Sequence, residues 1–100
     1  MPLPSDVERY VERTFAAAEK PVVLALLANA VIHDGTPAEP RLIRCAVVSS
    51  RGSVERLRAQ VDRLTVDFRD VIVEGEYLPG GTGFDLVRVR NLSEPIGDDA

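Results

Sequence analysis

Between Val54 and Val71 the apolar residues recur in alternating steps of three and four: Val54, Leu57, Val61, Leu64, Phe68 and Val71. An α-helix repeats every 3.6 residues, so this spacing draws one stripe along a helical face, whereas a half-buried strand would alternate at every second residue. A stripe of that length must be buried against another element, which commits the middle of the chain to helix packing. Ser53 stands where an N-cap belongs, after the punctuating SRGS of residues 50–53. Asp67, with Asp70 three residues on, has the form of a second N-cap with an acidic first turn. The seam is therefore carried by one helix, or by two that meet at a bend near Asp67.

Upstream, Ser5 and Glu8 fit a capping box, and Val7, Tyr10, Val11, Thr14, Phe15 and Ala18 line one face of a first helix. Pro21 suits the first turn of a second helix, where its missing N–H would be unpaired anyway. The following VVLALLANAVI is apolar almost all round, which predicts the buried central element of the fold. Gly35 supplies a stop, GTPAEP reads as a loop, and Pro40 can open the next element. There Leu42, Ile43, Ala46 and Val47 fit a helix, although Val47 and Val48 also belong to a β-prone run.

The stretch from Asp70 to Tyr77 has two readings. Periodicity continues the helix. Against that, Asp70, Glu74 and Glu76 would put negative charge at a helix C-terminus, where the macrodipole disfavours it. An antiparallel pairing of DVIVEGEYL with FDLVRVRNL would set Glu74 opposite Arg90, Glu76 opposite Arg88 and Ile72 opposite Leu92. The expected fold is mainly α, a compact bundle of four or five short helices with an extended C-terminal segment. Residues 1–92 form the globular domain and 93–100 an acidic flexible tail. The alternative is α+β, with a β-hairpin over about residues 70–92.

Residues 42–77, LIRCAVVSSRGSVERLRAQVDRLTVDFRDVIVEGEY, resemble the end of a group of small uncharacterised bacterial proteins. In that group an apolar helix, a short Gly-containing turn and a charged amphipathic helix lead to a closing Asp, Tyr or Phe, Arg, Asp, Val, Ile or Leu, and a final Glu-Tyr. The matching residues here are Asp67, Phe68, Arg69, Asp70, Val71, Ile72, Glu76 and Tyr77. The resemblance implies an all-helical domain of unknown activity and transfers no catalytic residue. Glu74 and Gly75 depart from the strongly helical residues expected at their positions, and a further tail follows Tyr77.

A chain of 100 residues, 45% of them hydrophobic, encloses about one core. Its net charge of −4 opposes broad attraction to phosphate backbones, and its five aromatic residues leave few surfaces for stacking bases. Nucleic acid is thus not an expected partner. A single cysteine, Cys45, excludes an internal disulfide framework. The opening MPLPSDVERY lacks the regions of a secretory signal, and no apolar run reaches the roughly 18 residues of a membrane span. A soluble cytoplasmic protein with no membrane association is expected.

Each candidate for chemistry has a plainer structural alternative. His33 beside Asp34 could act as a general base or part of a metal site, but with one histidine in the chain it equally fits a polar helix end. Cys45 lies within the largely apolar run LIRCAVV and reads as a buried structural thiol. PGGTG lacks the lysine of a phosphate-binding loop and reads as a turn. Asp67, Asp70, Glu74 and Glu76 match no calcium-loop spacing and include Arg69 among them, which suits a salt-bridged face. Arg56, Arg58 and Arg63 alternate with Glu55 and Asp62 as helix-surface ion pairs.

These features predict a small non-catalytic interaction or regulatory protein with no catalytic, cofactor-binding or metal-ligating residues. The candidate interaction residues are Arg69, Asp70, Glu74, Glu76, Tyr77, Arg88 and Arg90. The partner would be a second protein or another copy of the chain, engaged through the C-terminal segment. The alternative is an enzyme or small-molecule binder using His33, Asp34, Arg69 and Asp70.

Overall fold

Proline sets the start of two of the four helices seen in a computed structural model, which describes residues 3–77 and 90–97. In chain order α1 spans Ser5–Thr14, α2 Lys20–Ala28, α3 Pro40–Ser49 and α4 Val54–Glu76. Pro21 lies in the first turn of α2 and Pro40 opens α3. No strand forms among the described residues, where Val31 and Pro37 make an isolated antiparallel bridge.

The mainly helical expectation holds, and three of its details change. The Ser5–Glu8 capping box does not form. The Pro4 carbonyl accepts from the Val7 and Glu8 amides at 3.0 and 3.2 Å, so the helix opens one residue earlier and Ser5 lies inside its first turn.

The apolar α2 is not the central element. It encloses only Val23 and Leu27, leaves Val22 41% exposed, and ends at Ala28 rather than near Gly35. Residues 30–38 turn back on themselves instead, with the Ile32 amide donating to the Thr36 carbonyl and the Ala38 amide to the Ala30 carbonyl, each at 2.9 Å. The central helix is α3, in which every residue from Leu42 to Val48 is buried. High hydropathy does not oblige a helix to be central, because folded proteins leave much apolar surface in water.

The third change concerns residues 70–92. Val71 to Glu76 are helical and the Tyr77 amide closes the last turn onto the Val73 carbonyl at 3.0 Å, so the proposed first strand is the end of α4. Glu74 accordingly meets Gln60 and Arg63, not Arg90. Residues 78–89 of the proposed hairpin, Arg88 included, lie outside the described residues.

The seam of α4 is broken where the sequence suggests. Asp67 leaves the helical region at φ −154° and ψ 99°, and its Oδ1 accepts the Arg69 amide at 3.1 Å as a cap for the second half of the helix. A straight helix would hold residues 11 to 14 apart at about 16–21 Å, beyond the joint reach of the side chains that meet at Glu74. The two halves of α4 therefore fold back toward each other across Asp67, and α4 as a whole packs chiefly on α3.

At the other end of α3, Arg51 (φ 51°) and Gly52 (φ 78°) take consecutive left-handed conformations that reverse the chain. Ser53 then caps α4 by accepting the Arg56 amide at 3.2 Å.

Gly75 explains its own departure from helical preference. A Cβ at that position would lie 2.8 Å from both Cα and Cβ of Cys45, so a glycine lets α4 touch the backbone of α3.

Candidate functional site

Among the described residues five charged or polar side chains are buried, and three of them hold one segment. Residues 90–97 cross the bundle as a strap, with Leu92 2% and Ile96 7% exposed as part of the hydrophobic core. The remaining strap side chains are exposed.

Asp6, in the first turn of α1, faces Arg44 in the middle of α3. Arg44 donates from Nε to Asp6 Oδ2 at 3.0 Å and from Nη2 to Oδ1 at 3.3 Å, a bidentate pair of two buried groups. Neither partner is saturated by the other. Asp6 Oδ2 also accepts the Ile96 amide at 2.9 Å, while Arg44 Nη1 donates to the carbonyls of Leu92 at 3.3 Å and Ser93 at 3.5 Å. Burial pushes the Asp6 carboxyl up, but hydrogen bonds from Arg44 and Ile96 and the guanidinium charge outweigh it and hold the group below its ordinary value.

The second anchor is Glu76, at the C-terminal end of α4 and fully enclosed. Arg41 grips it with two hydrogen bonds of 2.9 Å, the Cys45 thiol lies 3.8 Å from Oε2, and the Leu92 amide donates to the same oxygen at 3.1 Å. The Glu76 hydrogen bond raises the Arg41 guanidinium pKa above its usual value, against the opposing effect of burial. A buried carboxylate is costly unless fully paired, and this one has partners from α3 and from the strap. Nearer the surface, the Arg13 guanidinium donates to the Gly97 carbonyl at 2.8 Å and stacks 5.2 Å from the Tyr10 ring centre. The strap is thus read through its main chain by Glu76, Arg44, Asp6 and Arg13.

The expected boundary at residue 92 does not mark the end of packing, because Ile96 is in the core and its amide is bound. Residues 98–100 lie outside the described residues. The C-terminal segment expected to reach a partner is, from Arg90 to Gly97, laid on its own bundle.

The other predicted residues are spread apart. Arg69 is exposed and pairs locally with Asp67 at 3.2 Å, and Asp70 is exposed. The Asp67 carboxyl is held below its ordinary value by its hydrogen bonds from Arg69. Glu74 pairs with Arg63 and Gln60 on the surface of α4. Tyr77 is half-buried at the end of α4, and the Arg90 amide donates to the Glu76 carbonyl at 3.3 Å.

His33 and Asp34 sit in the exposed turn between α2 and α3, not at a helix end. There the Thr36 side chain, and the Thr36 amide at 3.0 Å from Oδ1, hydrogen-bond to Asp34 and hold its carboxyl below the ordinary value. Among the described residues no hydrogen bond or ion pair joins them to Arg69 or Asp70, and no group of three or more His, Cys, Asp or Glu side chains is placed to hold a metal ion. Cys45 is fully buried, with its thiol toward Glu76.

Sequence reasoning missed Asp6, Arg41 and Arg44. The signal for Arg44 was present, since it is a charge at a core position of the apolar run LIRCAVV. Buried arginine requires a carboxylate, and Asp6 is the one that answers.

Among the described residues a pocket and a helix face stand apart from these groups. A small apolar pocket of about 60 Å³ is lined by Leu3, Pro4, Ala30, Pro37, Pro40 and Ile43, well below the roughly 300 Å³ at which small-molecule sites begin. The outer face of α2 presents Pro21, Val22, Ala25 and Ala28 to solvent, on a helix with no charged residue after Lys20. Among the described residues no helix is long and apolar enough to cross a membrane. No family model, curated protein or solved structure matches the chain.

Proposed function

We propose that this is a small non-catalytic interaction or regulatory protein that acts in the cytoplasm and meets a protein partner through the outer face of α2. The observation that carries this reading is the uncharged, outward-facing row Pro21, Val22, Ala25 and Ala28. The row carries no charge to desolvate on contact, and its small residues would let a partner's backbone approach closely. The buried charges support the same reading from the other side, because they brace the fold and do not converge on an open cleft. The likeness of residues 42–77 to the helical bacterial proteins adds a helical domain and no chemistry. A single cysteine, with no internal disulfide to keep oxidised, suits a reducing compartment.

The test is site-specific photo-crosslinking in cells, with the reactive group at position 22 compared with the exposed position 58 on α4. Adducts that form from position 22, fail from position 58 and disappear in the Ala25→Glu variant are expected. Equal labelling from both positions, or labelling indifferent to Ala25→Glu while circular dichroism stays native, overturns the reading.

A further inference from the structure

The apolar pocket between the start of α1 and the loop before α3 adjoins the outer face of α2, because Ala28 belongs to both. At about 60 Å³ it has room for on the order of four to six water-sized groups. That is too little for a cofactor or metabolite, and it is the size of one leucine side chain. Three of the lining residues are Pro4, Pro37 and Pro40, which have no N–H. The Ala38 amide donates to the Ala30 carbonyl at 2.9 Å and the Ala30 amide to the Leu27 carbonyl at 3.3 Å. These five wall residues offer a ligand no main-chain donor, so they select carbon.

Acidic side chains flank them. Glu39 is exposed and stands between the lining residues Ala38 and Pro40, and Glu8 is exposed one turn beyond Pro4. Arg41, the residue after Pro40, has its guanidinium on Glu76 instead. We infer that the pocket anchors the protein partner: a leucine-like side chain of the partner enters it, and an adjoining lysine or arginine of the partner meets Glu39. The inference rests on the reading of α2 as the contact face and adds the chemistry of what is bound, a basic segment carrying one aliphatic anchor. Protein contacts concentrate their energy in a desolvated anchor of this kind, surrounded by near-neutral contacts such as the small residues of α2. The Glu39 contact lies at the rim and supplies selectivity more than affinity.

The experiment uses the full chain, isotope-labelled at the methyl groups of alanine, leucine and isoleucine, and follows their NMR signals during titration with three capped tripeptides: Lys-Leu-Lys, Lys-Ala-Lys and Glu-Leu-Glu. At millimolar concentration Lys-Leu-Lys is expected to shift the methyls of Leu3, Ala28, Ala38 and Ile43. At equal concentration the response to Lys-Ala-Lys should be about tenfold smaller and that to Glu-Leu-Glu about twofold to fivefold smaller. Ala28→Leu fills the mouth from an exposed helix position and should abolish the response. Glu39→Gln should erase the preference over Glu-Leu-Glu, and since the Glu39 side chain makes no cap to α3 the variant should keep its fold.

Unmoved methyls, an equal response to Lys-Ala-Lys, or a response to Glu-Leu-Glu that equals or exceeds that to Lys-Leu-Lys overturns the inference, and all three are read on the unmodified chain. A response that survives Ala28→Leu in a natively folded variant overturns it too. Shifts of the same methyls on diluting the chain alone assign the pocket to a second copy and refute the basic partner. Crosslinking from position 22 separates the two readings. Adducts sensitive to Ala25→Glu beside unmoved methyls refute the anchor and leave the α2 face standing, whereas shifted methyls without adducts support the anchor and refute the face.

Discussion

Asp6 is a carboxylate with little water around it, and it stays ionised because three donors converge on it: two from Arg44 and one from the Ile96 amide. Its pKa in the folded chain lies below the ordinary 3.8. The sign of the consequence comes from linkage, since a group whose pKa falls on folding stabilises the fold when ionised. That contribution is present in full above the unfolded value and is lost as pH falls through the lower folded value. Thermal melts should therefore hold steady from neutrality down to about pH 5 and drop below about pH 4. Asp6→Ala should cost about 3–5 kcal/mol at neutral pH, because it leaves Arg44 charged and buried without its partner. It should also flatten the acid limb in urea titrations run at several pH values. The exposed Asp34 and the half-exposed Asp67 also have lowered values, but solvent screens these surface contacts and they should add little to that limb.

At the scale of elements, the crossing of α3 and α4 turns on one missing methyl group. Intrinsic helix propensity favours alanine over glycine by about 1 kcal/mol, so Gly75→Ala would stabilise an isolated α4. In the folded chain the added Cβ meets backbone of Cys45 at 2.8 Å, and overpacking of that kind costs about 1–3 kcal/mol. The steric term wins, and Gly75→Ala is expected to lower stability in urea denaturation. A gain would show that the two helices can separate freely.

The elements themselves were largely legible in the sequence. The three-four seam, the Ser53 cap, Pro21 and Pro40 at helix starts and the break at Asp67 all act within one turn of chain, where local chemistry decides. The order of packing was not legible. Whether α2 or α3 sits at the centre depends on which faces find partners, and Arg44 inside an apolar run was the one local hint that α3 is enclosed on all sides. Gly75 looked like a weakness because its reason, the backbone of Cys45, lies about thirty positions away in sequence.

For the molecule as a whole, the strap is part of the core and not an appendage. Leu92 and Ile96 contribute buried aliphatic surface, and truncating either to alanine should cost about 2–5 kcal/mol, whereas Val22→Ala on the outer face of α2 should change the melting temperature little. Deleting residues 90–97 should unfold the domain, since it exposes the core while leaving Asp6, Arg44 and Glu76 short of partners. A truncated chain that melts like the parent would contradict the packing of the strap. The bond from Asp6 to Ile96 spans ninety positions, and it carries a consequence for how the protein is made. Synthesis proceeds from the N-terminus, so Asp6 and Arg44 emerge long before the backbone groups they hold. A nascent chain that buried them early would bury charges with unmet hydrogen bonds, which makes early compaction unfavourable. The finished fold thus forms only once residue 96 has left the ribosome, with the strap as the piece that permits the rest to close.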